Sequence, residues 1–186
     1  MSILTERAQA FAEIQDYLVS GCLALFGAYG MPVEYAVGGA AEIRGPAVMA
    51  VIGYATQNMR GALLILTSRE VVAALTPTEA RVNDAGAEPA SLRDVLGEFS
   101  NMLLGRIKNQ LILREVAPLL ATPTTVFGDH LELPAPTSGM SAWHTFSGPA
   151  GDVFVRFDAT FDAAFALAPA VDGRVPALAE GEMILF

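Results

Sequence analysis

Cysteine is almost absent from this sequence. Cys22 stands alone among 186 residues, so no intramolecular disulfide can form, and a reducing, cytoplasmic setting is expected. Histidine is nearly as scarce: His130 and His144 lie far apart and far from Cys22, which leaves no ligand spacing for a structural zinc site. Basic residues are few, with 11 Lys and Arg against 20 Asp and Glu. The net charge of -9 repels phosphate backbones, so neither nucleic acid nor an anionic membrane is an expected partner. Charged residues of both signs make up only 17% of the chain while 53% is hydrophobic, which excludes disorder as the main state and predicts a filled core.

The usual nucleotide and hydrolase signatures are missing as well. There is no P-loop, no Gly-x-Gly-x-x-Gly after a strand, no His-Glu-x-x-His and no Gly-x-Ser-x-Gly. The amino terminus has no basic stretch ahead of an apolar core and does not read as a secretory signal. The uncharged run from Tyr17 to Val33 holds Gly21, Gly27, Gly30 and Pro32, so it reads as a buried helix ending in a turn and not as a membrane span. Cys22, with no basic neighbour to lower its pKa, reads as a core residue. His144 beside Trp143 reads as a hydrogen-bonded structural residue, His130 as a surface one, and Gly38-Gly39 as a bulge or close backbone approach.

What is present is a regular succession of elements. No linker or charge block divides the chain, so residues 1–165 are read as one domain and 166–186 as a tail of unassigned role, closing on the apolar Met183-Ile184-Leu185-Phe186. Helical spacing of Phe11, Ile14, Leu18, Cys22, Leu25 and Phe26 predicts a helix over about Ile3 to Ala28, stopped by Gly30 and Pro32. Apolar stretches at Val33–Ile43, Ala47–Ala55 and Gly61–Leu66, parted by turn residues, predict three consecutive strands in a meander. Thr67…Glu70 and Thr76-Pro77…Glu79 carry capping-box spacing and predict two short helices. Ser91…Asp94 repeats that logic and opens a long helix reaching about Glu115. Strands follow at Leu119–Phe127, Ser141–Phe146 and Asp152–Thr160, the last with one buried and one wetter face. The order is α+β with antiparallel pairing.

The long helix is the most informative element. At ~100° per residue, Glu98, Asn101, Gly105 and Lys108 fall within about 40° of Asp94 and form one narrow stripe. Leu92, Val95, Leu96, Phe99, Met102, Leu103 and Ile107 occupy the opposite half, so the stripe faces solvent or a partner, with Arg106 a blemish on the apolar side. Any amphipathic helix has a polar face, and Asp94 stands where a capping-box acid would. Asn101 is harder to account for, because an exposed mid-helix Asn followed by Gly105 on the same face weakens the helix without improving packing.

Asp94-x3-Glu98-x2-Asn101, with Gly105 four positions on and Pro123 beyond, resembles the signature of the CheC/CheX/FliY family of chemotaxis phosphatases. The run Asp94 to Gly105 reads like that family's central helix, Thr124 to Gly128 like the strand and turn after it, and Gly61–Leu66 like a strand of its first half. The likeness spans about Ile3 to Thr160 and is nearer the CheX branch, since the first helix offers only Glu13-x2-Asp16 and Glu6-x2-Gln9, neither with Asn. The resemblance implies a CheX-like α+β fold, a homodimer, and hydrolysis of the phospho-aspartate of a CheY-type receiver domain. It implies no cofactor on this chain, because the Mg2+ and the lysine that neutralise the phosphoryl group belong to the receiver. Asn101 would orient the attacking water and Glu98 would pair with the receiver lysine. Asp94 would be a rim contact or a cap, and Gly105 would admit close docking. The alternative is a non-catalytic module of the same fold that docks on a receiver or another signalling protein.

Overall fold

The computed structural model describes residues 3–38, 43, 45–76, 89–129, 131 and 138–169. Their order is α1 (Ile3–Ala28), β1 (Glu34–Val37), β2 (Pro46–Ala55), β3 (Met59–Ser68), α2 (Arg69–Leu75), α3 (Pro89–Ile112), β4 (Leu119–Leu120), β5 (Thr124–Asp129), β6 (Met140–Gly148) and β7 (Gly151–Phe161). The fold is α+β, with one seven-stranded antiparallel sheet in the order β1-β6-β7-β3-β2 and both β4 and β5 on the far edge of β2.

One face of the sheet carries the three helices. Alternate residues Ala50, Ile52, Leu63, Ile65, Val155, Phe157 and Phe146 point toward them and join Ile14, Leu18, Leu25, Leu96, Phe99, Leu103 and Ile107 in a single core. Phe26 of α1 ties the layers together, its ring 5.1 Å from that of Phe99 on α3 and 5.5 Å from that of Phe146 on β6. Both long helices end in the same way. At α1, Gly30 (φ 65°) lets Gly30 N–H reach Gly27 O and Met31 N–H reach Phe26 O. At α3, Glu115 (φ 60°) takes that left-handed position, with Glu115 N–H on Ile112 O and Val116 N–H on Leu111 O. These are Schellman motifs, each closed by a buried apolar residue after the turn.

Several expectations need correction. The first three strands are not a meander: β2 and β3 form a hairpin, but β1 pairs with β6, placing Tyr35 opposite Phe146 and Val37 opposite His144. Gly38 (φ 78°) closes β1, its N–H bonded to Trp143 O. Thr67 does not cap α2; it is a buried strand residue whose hydroxyl donates to Asp152 O, and Ser68 is the N-cap, accepting from Val71 N–H. Thr76 ends α2 as its C-cap, while residues 77–80, where the second short helix was expected, lie outside the described residues. Leu119–Phe127 is two strands, because Ala121 turns its N–H to Gly53 O and Pro123 has none to give a ladder. The second face of β7 is not wet. Phe154 packs with Ala47 and Leu66 under Ile43, Met49, Leu131 and Trp143, and buried Arg156 pairs with Asp158 at 3.0 Å over the Trp143 ring.

Past β7, the Phe165 ring packs against that of Phe161 at 4.5 Å, tilted by 42°, and Leu167 packs against the core. Arg114 binds Glu13, the Tyr17 hydroxyl at 3.1 Å and the carbonyl of Ala168, whose N–H returns to Arg114 O at 3.2 Å. The first helix, the end of α3 and residues up to 168 are thus joined at one guanidinium. Residues 170–186, His130 and Gly39 lie outside the described residues.

Candidate functional site

The helix α3 is held by one side and shown by the other. Leu96, Phe99, Leu103 and Ile107 are completely buried, whereas Asp94, Glu98 and Asn101 are exposed and Gly105 and Lys108 half-buried. The periodicity that buries the first set fixes the direction of the second. Glu98 and Asn101, three residues apart, are therefore neighbours on the outer face. No hydrogen bond or ion pair with another described residue engages either side chain. A Cβ added at Gly105 would meet no atom within 4 Å, so that position is open to an approaching surface.

One capping expectation fails here as well. The helix begins at Pro89, so Ser91 lies inside its first turn and Asp94 in the second, where it is an exposed residue of the stripe and not the acid of a capping box.

Each flank of the stripe is built by a different element. On one side Gly97 is buried, and a Cβ there would lie 3.8 Å from Pro123 and 3.9 Å from Thr125, so the helix rests on the start of β5. Arg93 spreads its guanidinium over the Phe127 ring at 5.1 Å. Ser100, also buried, satisfies its hydroxyl on Leu96 O and Gly97 O, both at 2.9 Å. On the other side stands Tyr29, at the end of α1. Its ring is 5.9 Å from Phe99 and its hydroxyl donates to Met102 Sδ at 3.7 Å. Burial raises the Tyr29 pKa and the negative charge of Glu98 raises it further, so the phenol keeps its proton. Neither Arg93 nor Tyr29 was among the expected site residues. Arg93 could have been found as the basic neighbour of the stripe; nothing local in the sequence links Tyr29 to α3.

The first helix displays no second Glu and Asn three residues apart; Glu6 and Gln9 are both exposed, with Gln where α3 has Asn. Glu13 is taken up by Arg114 and Tyr17, and Asp16 is exposed with no Asn three residues away. Cys22 is completely buried, and desolvation raises its pKa, which makes it an inert core thiol. His144 is buried between Gln15 and Tyr35. With its proton on Nε2 it donates to Gln15 Oε1 at 2.7 Å and accepts at Nδ1 from the Tyr35 hydroxyl at 3.0 Å, while burial lowers its pKa. Among the described residues no group of His, Cys, Asp or Glu is arranged to hold a metal ion, and no helix is long and apolar enough to cross a membrane.

The stripe is not a pocket. A depression of about 330 Å3 lies between Leu4, Arg7, Met140 and Phe161, and an open groove of about 640 Å3 between Gly53, Arg60, Leu119 and Ala121; neither includes a stripe residue. A convex, exposed helix face suits another macromolecule better than a small ligand, which needs a concave site.

Solved structures share this architecture. CheX from Desulfovibrio desulfuricans is 19% identical, with a TM-score of 0.63 over 80% of this chain and 99% of that one. CheX from Vibrio vulnificus is 19% identical, with a TM-score of 0.64 over 80% and 99%. The complex of CheX with CheY, BeF3 and Mg2+ from Borrelia burgdorferi contains a chain 16% identical, with a TM-score of 0.62 over 77% and 96%. No curated protein matches the sequence. The family model described as chemotaxis phosphatase CheX matches residues 48–147, a span that runs from β2 to β6 and takes in all of α3. More than half of the chain lies within that match, and the chain belongs to the chemotaxis phosphatase CheX family.

Proposed function

We propose that this chain hydrolyses the phospho-aspartate of a CheY-type receiver domain by laying the exposed face of α3 over the receiver's active site. The observation that carries the reading is the outward display of Glu98 and Asn101 on α3 with neither side chain engaged within the described fold. Family membership supports the phosphatase activity, and the CheX complex with CheY supports the class of partner.

An aspartyl phosphate is a mixed anhydride, and its Mg2+ and neutralising lysine come with the receiver. The phosphatase supplies no nucleophile of its own. The Asn101 amide both donates and accepts, so it can hold a water in line with the phosphorus. Glu98 pairs with the receiver lysine and fixes the register of docking. Asp94 adds a rim contact and Gly105 lets the surfaces close. A hundredfold acceleration requires about 2.7 kcal/mol, which positioning of one water can provide.

The test is a time course of phosphate loss from purified phosphorylated receivers. Wild-type protein accelerates the decay; Asn101→Ala removes the acceleration while binding persists; Glu98→Ala weakens both. Undiminished acceleration by Asn101→Ala overturns the mechanism. A wild-type protein that binds the phosphorylated receiver yet leaves the phosphate in place is a docking module and not an enzyme.

A further inference from the structure

Tyr29 enters the site from a different element than the stripe itself, and its position is tightly set. It precedes the Gly30 turn, whose two Schellman hydrogen bonds, 3.0 and 2.9 Å, fix the end of α1, and its own N–H is bonded to Leu25 O at 3.0 Å. Its ring lies against Phe99, and its hydroxyl reaches Met102, one turn beyond Glu98 on the flank of α3 that faces α1. The charge of Glu98 is felt at the phenol oxygen, in keeping with that placement.

The hydroxyl therefore has a poor acceptor in Met102, and a strong one, the Glu98 carboxylate, is carried one turn earlier on the same helix. A thioether sulfur accepts weakly, whereas a carboxylate offers about four lone-pair positions on two oxygens. In the free protein water satisfies the exposed Glu98, and little is gained by turning the phenol toward it. A docked partner changes the balance by excluding that water. One carboxylate oxygen then meets the partner's cation, and the other is left costly to bury unless a donor reaches it.

We infer that Tyr29 is a positioning residue for this site: its hydroxyl turns from the Met102 sulfur to the Glu98 carboxylate as a receiver covers α3, and so aims that carboxylate at the receiver's lysine. The inference rests on the reading of α3 as a receiver-docking surface. It predicts coupling between a residue just past the end of α1 and one on α3 that no motif in the sequence joins.

The test measures affinity for a purified receiver domain loaded with BeF3− and Mg2+, a stable stand-in for the acyl phosphate. Tyr29→Phe keeps the ring against Phe99, so the fold is retained, as a thermal melt verifies. Loss of one hydrogen bond to a charged group should weaken binding about tenfold. In steady-state turnover KM for the phosphorylated receiver should rise by more than kcat falls. In a Glu98→Gln background the same substitution should change affinity by less than about twofold, because its charged acceptor is gone. Wild-type affinity for Tyr29→Phe overturns the inference, as does an undiminished effect in the Glu98→Gln background. If wild-type protein binds the loaded receiver without accelerating phosphate loss, the catalytic reading fails while the binding cycle still decides the role of Tyr29. If it does not bind, both fail.

Discussion

Replacing Gly105 by alanine separates the demands of folding from those of docking. Gly105 sits inside α3, where glycine is less favourable than alanine by about 0.8–1.0 kcal/mol. A Cβ built there meets nothing within 4 Å, so no packing penalty offsets that gain. For a chain of this size about 1 kcal/mol raises Tm by roughly 2–4 °C. Docking should respond in the opposite direction. Gly105 lies one turn beyond Asn101 on the same face, and a side chain there holds a partner away from the amide. A displacement of about 1 Å at a reacting centre can lower a rate about a hundredfold. Gly105→Ala should therefore melt higher while dephosphorylating a receiver more slowly, and Gly105→Leu should exaggerate the kinetic loss. Calorimetry and the phosphate-release time course, run on the same preparations, read the two effects. A lower melting temperature for Gly105→Ala would mean that the open space is not there. Full turnover by Gly105→Leu would mean that the partner does not approach this part of the helix.

Other positions give sharper structural readouts. A Cβ at Gly61 would overlap the Asp158 carbonyl oxygen and lie 2.6 Å from the Tyr54 hydroxyl, which bonds that carbonyl at 2.7 Å; Gly61→Ala should cost about 3 kcal/mol, measured by urea unfolding. Because burial lowers the His144 pKa, the unfolded chain binds the proton more readily. Its contribution to stability is complete above about pH 6.5 and falls as pH drops toward the folded value, by at most about 1.4 kcal/mol per unit. His144→Phe should flatten that slope between about pH 5 and 7 in denaturant titrations at stepped pH. Arg114→Ala removes the partner of Glu13, Tyr17 and Ala168 together, so it should lower stability by about 2 kcal/mol and speed amide exchange at Leu167 and Ala168 relative to the core strands.

The stripe on α3 was legible because a single period decides it: once Leu96, Phe99, Leu103 and Ile107 are assigned to the core, Glu98 and Asn101 have only one direction left. α1 was legible for a similar reason, with Gly30 supplying the stop that its φ of 65° requires. The partner of β1 was not. Its four residues carry a strand signal, but the pairing of Tyr35 with β6 spans more than a hundred positions, and no local pattern encodes it. Thr67 and Ser68 are adjacent hydroxyls with equal claims to a cap; the choice falls to Ser68 because sheet register places Thr67 opposite Val48 and Val153 inside the core. Tyr29 escaped notice because interhelical packing, and not sequence spacing, brings it to Met102. The buried side chain of Arg156 was misjudged because alternation along β7 does not reveal that Ile43 and Leu131, both outside regular strands, cover the second face.

The middle of the sheet has a bearing on biosynthesis. β3 is flanked by β2, its hairpin neighbour, and by β7, which ends at Phe161, so one border of β3 has nothing to pair with until the ribosome has delivered nearly the entire domain. During that interval Leu63, Ile65 and Leu66 belong to a naked ribbon. Nascent chains stalled before β7 should therefore recruit holdase chaperones and clump when those are depleted, whereas chains released beyond Phe161 should not.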